Sequence, residues 1–339
     1  MSNNLVTIDM VTREALRIAH EKCQFISTTD RQYDSSFAKT GAKIGASLRV
    51  RKPNQYLRTQ GTRVMDVQEQ DEQTSTVTVA TQDHVDMRFN SAELALSLDE
   101  LSKRYIEPAV SSLVSAIEGD YLAYATKKTY NVVGTAGTAI TDLTAPGLAR
   151  ARLNQMLAPK DRNRAIQMDS VTMAGLVKGV AAYFNPSGAI SEQYREGLVA
   201  RTSMADYYEN ERVWSLTNSS DVTVTTAAAA AVTDGGTNIT LASVGAGDTT
   251  AGMTFTVAGV YACHPETKQS LGYLQPYVVI TGGATTQTVS PATILTGPRQ
   301  NVCSAASAQL ATTAYNGTAV AVTFFGAANT SYAQSLMYH

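Results

Sequence analysis

Cysteine is nearly absent. Cys23, Cys263 and Cys303 are the three in 339 residues, an odd number with no CxxC spacing. They suit neither a disulfide framework nor a thiolate metal site, and they read as small buried hydrophobes. Long apolar runs are missing too. No stretch approaches the ~18 apolar residues of a membrane-spanning helix, and the opening MSNNLVTIDM lacks the basic-then-apolar order of a signal peptide. The sequence therefore reads as a soluble protein made inside the cell, with no membrane partner. Asn-X-Ser/Thr sequons at Asn218, Asn238, Asn316 and Asn329 then reflect a segment rich in Asn and Thr rather than glycosylation.

Charge is scarce and unevenly spread: 17% of residues are charged and the formal net charge is −2. After Arg212 the basic residues are Lys268 and Arg299, and the acidic ones Asp221, Asp234, Asp248 and Glu266. From about Ser219 the composition turns to Thr, Ala, Gly and Val. Runs such as TFTVAGVYA and YVVITGGATTQTVS, separated by Gly, Asn and Pro, read as strands of an antiparallel barrel or sandwich. A charged α+β region thus precedes a β-rich one, and 44% hydrophobic content is enough to give each a core. The alanine run from Ala227 to Ala231 lacks periodic partners and predicts a linker or edge strand.

What is present is most uneven between Gly41 and Arg63, where GAKIGASLRVRKPNQYLRTQGTR carries six basic side chains and no acidic one. LRVRKP and, further on, TSTVTVATQDHVDMRF alternate with period two, which predicts two long strands between Lys39 and Phe89. The link between them bears Asp66, Glu69, Asp71 and Glu72. The whole reads as a hairpin with a basic outgoing limb and an acidic return. Two strands alone are marginal in water, so something must cover them. The opposite charges can pair within the hairpin or with a neighbouring copy, and in a symmetric assembly the second contact repeats at every interface. Tyr56 is the only aromatic in the basic stretch, which argues against sequence-specific nucleic-acid binding.

Helices frame this excursion. Val11, Ala15, Leu16 and Ala19 fall at helical spacing within Asn4 to Ile26, predicting an amphipathic arm. Ser97 with Glu100 forms a capping box ahead of Leu98, Leu101, Tyr105, Ala109, Leu113, Ile117 and Tyr121, the apolar stripe of a long helix. Pro108 predicts a kink there or a fresh start. Shorter helices are expected from Pro146 to Leu157 and from Ser170 to Tyr183, with a buried strand, AIQMD, between them.

Motifs for chemistry fail on spacing. His84 and Asp86 would share one strand face, but no further histidine lies near and an exposed polar face accounts for them. Cys263 and His264 are adjacent, hence on opposite faces if the chain is extended there, which argues against a dyad. Gly245 and Gly247 begin a GxG, yet position 250 is Thr and no helix follows. The reading is of a protein without catalytic, cofactor or metal residues, and not an enzyme.

The amphipathic arm, FAKTGAKIG with RVRKPNQY, SAELALSLDELSKRYIEPA, FNPSGAISEQYREGLVAR and AGMTFTVAGVYACHPETKQSLGYLQPYVV occur in that order over nearly the whole chain. Together they resemble the coat proteins of short-tailed phages, specifically the P-twenty-two type coat protein family, a Hong Kong 97 capsid fold with an inserted β-barrel. The resemblance implies an α+β fold: an N-terminal arm (1–30), an extended loop with flanking strands (31–90), a peripheral and axial core (91–218), an inserted antiparallel barrel (219–325) and a return into the axial domain (326–339). Pro108 to Tyr130 would be the spine helix.

It further implies a major capsid protein, assembled in the bacterial cytoplasm into hexamers and pentamers of an icosahedral virion shell. Its partners would be its own copies, a separate scaffolding protein, a portal protein at one vertex and packaged double-stranded DNA touched without specificity. Arg49, Arg51, Lys52, Arg58 and Arg63 would form one side of the inter-subunit contact and Asp66, Glu69, Asp71 and Glu72 the other, with Asp9 and Glu14 facing a basic scaffold tail. Relatives run on beyond the point where SYAQSLMYH stops, so the resemblance implies a chain cut short. The alternative is a β-barrel receptor-binding or decoration module fused to a helical oligomerisation domain.

Overall fold

The computed structural model describes residues 8–29, 45–61, 67–69, 72–88, 98–161, 163–180, 205–220, 223–225, 232–242, 249–308, 310 and 319–339. The chain divides into two compact units, Met1–Pro53 with Glu72–Leu122, and Asn54–Asp71 with Ala123–His339.

In the first unit, helix α1 (Ile8–Lys22) buries Ile18 and lays Val11, Ala15, Ala19 and Cys23 against Leu101, Ile106, Val110 and Val114. Leu16, expected on that face, is 56% exposed, because the buried stripe follows Val11, Ala15 and Ile18 and leaves residue 16 outside it. The long helix comes in three pieces: α3 (Leu98–Leu101), a π-helical turn (Ser102–Ile106) and α4 (Glu107–Lys128). Pro108 has no N–H for the Arg104 carbonyl and its ring crowds that carbonyl, so the turn before it widens rather than breaking. The widening absorbs one residue. Leu101 and Ile106, five apart, are both fully buried, and the stripe then runs Ile106, Val110, Val114, Glu118, Leu122. The sequence-derived stripe through Leu113, Ile117 and Tyr121 is therefore one position out, and Tyr121 is exposed. Ser97 of the proposed capping box lies outside the described residues.

Glu118 interrupts this apolar stripe with a fully buried carboxylate. Its Oε1 accepts the N–H groups of Gln24 at 2.5 Å and Phe25 at 2.7 Å, fixing the start of α2 (Phe25–Thr28), while the Phe25 ring lies 5.0 Å from that of Tyr121. Two bonds to a charged acceptor inside a protein stabilise more than neutral ones. Glu118→Ala is expected to cost about 3 kcal/mol, measured as a lowered urea midpoint with unchanged slope. A change below the error of the extrapolation would show that the buried carboxylate is not holding the arm.

The hairpin pairs β1 (Ser47–Arg51) with β2 (Thr74–Thr78) antiparallel, in register from Ser47↔Thr78 to Arg51↔Thr74. The strands are shorter than the alternation predicted. Gly45 at φ +87° turns the outgoing limb out of extended conformation, and residues 80–88 of the return carry no strand. The segment FAKTGAKIG lies outside the described residues apart from Gly45.

In the second unit, β3 (Ala165–Met168) is buried along its whole length, at the centre of a sheet ordered β14-β3-β4, with β4 (Asp206–Glu209) parallel and β14 (Leu336–Tyr338) antiparallel to it. Helix α6 (Ser170–Val180) packs Met173, Leu176 and Val180 against Ile166, Met168 and Tyr207. Helix α5 (Thr144–Gln155) ends at the buried Arg164, whose Nη2 donates to Asn154 Oδ1 and to the carbonyls of Ala158 and Pro159. Helix α5 thus lies two residues ahead of the expected Pro146 to Leu157, and α6 starts at Ser170 as expected, with residues 181–183 outside the described residues. The segment FNPSGAISEQYREGLVAR and the alanine run lie outside the described residues.

The β-rich part is a seven-stranded antiparallel sheet. Its path is β6 (Thr223–Thr225), β12 (Ala321–Phe324), β8 (Thr254–Cys263), β9 (Ser270–Thr281), β10 (Thr286–Thr293) and β7 (Gly236–Thr240), with β11 (Val302–Cys303) also on β8. Among the described residues the two ends of this path, β6 and β7, are not paired with each other. Phe255, Tyr277, Val257, Val279, Leu295 and Phe324 fill its core. Gln287, fully buried, bridges the β9–β10 turn by donating to the Gly283 carbonyl and accepting from Gly283 N–H and the Thr249 hydroxyl. Before this sheet in sequence comes β5 (Ser215–Thr217) and after it β13 (Ser331–Ala333), and these two pair. Asn218 Nδ2 donates to the carbonyls of Phe325 and Ala327 beside them. The chain therefore leaves for the sheet and returns from it through one neck.

Burial pushes the Cys263 thiol up to about 12, with Cys303 beside it, and burial raises Cys303 as well. Thiolates are the reactive form. In native protein a disulfide-exchange reagent is expected to label half-buried Cys23 and to reach Cys263 and Cys303 only on unfolding. Equal rates for all three would contradict the burial of the sheet interior.

Candidate self-association surface

Every residue of β2 is exposed, Val77 at 58%, and β1 alternates exposed Ser47, Arg49 and Arg51 with half-buried Leu48 and Val50. The hairpin thus offers a surface that its own two strands do not bury. Arg49, Arg51, Lys52 and Arg58 are all exposed, as are Glu69 and Glu72, whereas Arg63, Asp66 and Asp71 lie outside the described residues. Arg51 Nη1 stands 3.4 Å from Glu72 Oε2, with both side chains more than half exposed. One charge pair is thus satisfied within the hairpin. Pairs this exposed contribute little to stability. Arg49 and Lys52 have no ion-pair partner among the described residues.

Beyond Lys52 the connection is held by side-chain mimicry of a ladder. Gln68 Nε2 donates to the Leu57 carbonyl at 2.6 Å and its Oε1 accepts the Leu57 N–H at 2.8 Å. Nothing in a sequence pattern distinguishes such a glutamine from its neighbours. Exposed Tyr56, Leu57 and Val67 stand in the same connection.

The arm residues differ from each other. Asp9 is exposed. Glu14 is engaged: its Oε1 accepts from Arg17 Nη2 at 2.6 Å and from Ser102 Oγ at 3.0 Å, and its Oε2 from Arg17 Nε. The Arg17 guanidinium, and behind it the Ser102 hydroxyl, hold the Glu14 carboxyl below its ordinary value. A depressed carboxyl stabilises the fold above the unfolded pKa, and that stabilisation is lost as pH falls through the folded one. Glu14 thus ties α1 to the π-helical turn rather than facing outward. Its signal was the spacing to Arg17, one helical turn on.

His84 Nε2 lies 3.4 Å from Asp86 Oδ2, both strongly exposed, but on a segment that is not a strand, so their shared-face geometry does not arise. Cys263 ends β8 and is buried, whereas His264 starts the following turn, where its Nδ1 accepts the N–H groups of Glu266 and Thr267. Gly245 and Gly247 lie outside the described residues. Among the described residues no cluster of three or more His, Cys, Asp or Glu could hold a metal ion, and no helix is long and apolar enough to cross a membrane. Comparison of the chain with protein-family models and with curated proteins returns no match.

Proposed function

We propose that this protein is a shell-forming structural subunit: a major capsid protein of a tailed phage, working by self-association into hexamers and pentamers that close around double-stranded DNA. The observation that carries the reading is the hairpin, exposed on β2 along its whole length and basic on its outgoing limb. A surface of that kind needs a covering layer, and a neighbouring copy supplies one at every interface of a symmetric shell. The segments that resemble the P-twenty-two type coat proteins support the same reading. So does the neck formed by β5 and β13, which fits a sheet inserted into an α+β core.

In this reading α1 and α2 are the arm, the hairpin is the extended loop, and α3 with α4 is the spine of a Hong Kong 97 type fold. Arg49, Lys52 and Arg58 meet an acidic surface on the neighbour, and Glu69 is available to meet a basic one. Exposed charge pairs set register and orientation more than affinity, so assembly depends on many repeats of a small contact. A scaffolding protein directs closure and a portal occupies one vertex. Sedimentation and electron microscopy of the purified protein test this: closed shells are expected, and a small oligomer of fixed number would favour a binding module instead.

A further inference from the structure

The β1–β2 ladder fixes which backbone groups of β2 face outward. Lys52 N–H donates to the Gln73 carbonyl at 2.8 Å and Val79 N–H to the Ala46 carbonyl at 3.0 Å. In the register Arg51↔Thr74 to Ser47↔Thr78, these bonds place Gln73, Ser75, Val77 and Val79 in the hydrogen-bonded positions facing β1. The N–H and C=O groups of Thr74, Thr76 and Thr78 therefore point away from β1. Among the described residues no strand lies against them.

Proteins blunt such edges with charge, proline or a bulge. The β1 side is blunted, by Arg49 and Arg51 and then by Lys52 and Pro53. The β2 side is not: Thr-Ser-Thr-Val-Thr carries no charge and no proline, is rich in β-branched residues, and pairs with β1 without a bulge. The asymmetry leaves one edge of the hairpin open to pairing and the other closed to it.

We propose that β2 pairs antiparallel, through this outer edge, with β2 of a second copy, the two-fold axis passing at Thr76. The inference rests on the self-association reading and assigns it a specific contact. Centring on Thr76 satisfies the most backbone groups, because Thr76 then faces Thr76 of the second copy and Thr74 faces Thr78 of the second copy, both as hydrogen-bonded pairs. A shift by one residue would bring the inward-pointing groups of Ser75 and Val77 to the seam and break the ladder. The uncharged strand brings no like charges together, and the Thr side chains meet as cross-strand neighbours. Arg49 and Arg51 end on the outer strands of the four-stranded ribbon, Arg49 about 14 Å from its counterpart by strand spacing and Arg51 farther, because it is also offset along the strands, both beyond the ~8 Å Debye length of physiological salt. Arg49 remains available for the charged contact proposed above, while Arg51 keeps its pair with Glu72. An isologous contact of this kind closes on itself and does not propagate into a fibre.

Thr76→Cys places two thiols opposite each other at a Cα spacing a disulfide accepts, about 5.5 Å. Mild oxidation with copper phenanthroline and oxygen, which takes two electrons and two protons from the thiol pair, is expected to give a covalent dimer. Peptide mass spectrometry should map the bond to position 76 in both chains. As a register control, a mixture of Ser75→Cys and Val77→Cys protein should cross-link while each alone does so at least tenfold less. Thr76→Pro removes an N–H that faces away from β1, so the hairpin itself remains paired while the cross-link between Ser75→Cys and Val77→Cys protein is lost. Self-associated protein that forms no bond at position 76 overturns this inference and leaves the self-association reading standing. Protein that does not self-associate under any condition overturns that reading, and this contact with it.

Discussion

The double variant Arg49→Glu, Arg51→Glu is expected to fold normally and to form no shells. Both side chains are exposed, so neither supports the core of its own unit. Surface changes of this kind alter stability by less than about 0.5 kcal/mol, and the circular dichroism and melting of the monomer should be unchanged within that range. Arg51→Glu also sets a carboxylate beside Glu72, where an ion pair at 3.4 Å stood. At the proposed interface each copy then presents acidic charge to an acidic surface. The penalty per contact is of order 1 kcal/mol, but it recurs at every interface, and a shell is cooperative in those contacts. Assembly followed by light scattering should therefore fall by orders of magnitude while the monomer persists. Normal shells from this variant would remove the basic limb from the account.

The largest effect on folding is expected from Gly179→Ala. Gly179 lies on α6 where the Thr141 backbone crosses it so closely that a Cβ would stand 1.4 Å from the Thr141 carbonyl oxygen and 2.6 Å from its carbon. Both obstacles are backbone, so no side chain can swing aside. A Cβ on Gly175, one helical turn earlier, would stand 3.2 Å from the Ile140 carbonyl oxygen, so the two glycines keep one face of α6 bare for this stretch of chain. Overpacking costs typically about 1–3 kcal/mol and more where backbone must move. Gly179→Ala should reach or exceed about 3 kcal/mol and lower the yield of folded protein. Gly119, in the middle of α4 with nothing within 4 Å of its would-be Cβ, is the control. There the same substitution should stabilise by up to about 1 kcal/mol through helix propensity. Opposite signs in urea unfolding are the predicted outcome, and equal effects would contradict the close approach.

The elements that could be read in the sequence are those whose period survives locally. Residues 165–168 of AIQMD are all buried, Gln167 among them, and the run is short enough to read as a strand, while α5 and α6 begin close to where Pro146 and Ser170 place them. The stripe on the long helix could not be placed, because the π-helical turn ahead of Pro108 inserts a residue that no 3.6-residue template carries. Glu118 escapes sequence pattern for the related reason that it sits in the true stripe and not in the predicted one. A lone carboxylate at four-residue spacing from Val110 and Val114 is the signal that would have found it. The hairpin is legible as alternation, but its length is not: the return limb goes on alternating past Thr78 in the sequence while residues 80–88 carry no strand. The exposure of β2 follows from the same alternation: Thr-Ser-Thr-Val-Thr has no apolar face to bury. The neck between β5 and β13 joins residues more than a hundred positions apart, and local pattern is blind to it.

The most direct test of self-association is electron microscopy of the purified protein, alone and with a scaffolding protein, with particle mass from sedimentation. The account predicts closed shells of uniform size, or sheets and spirals that become shells when scaffold is added. A discrete small oligomer under both conditions would contradict it.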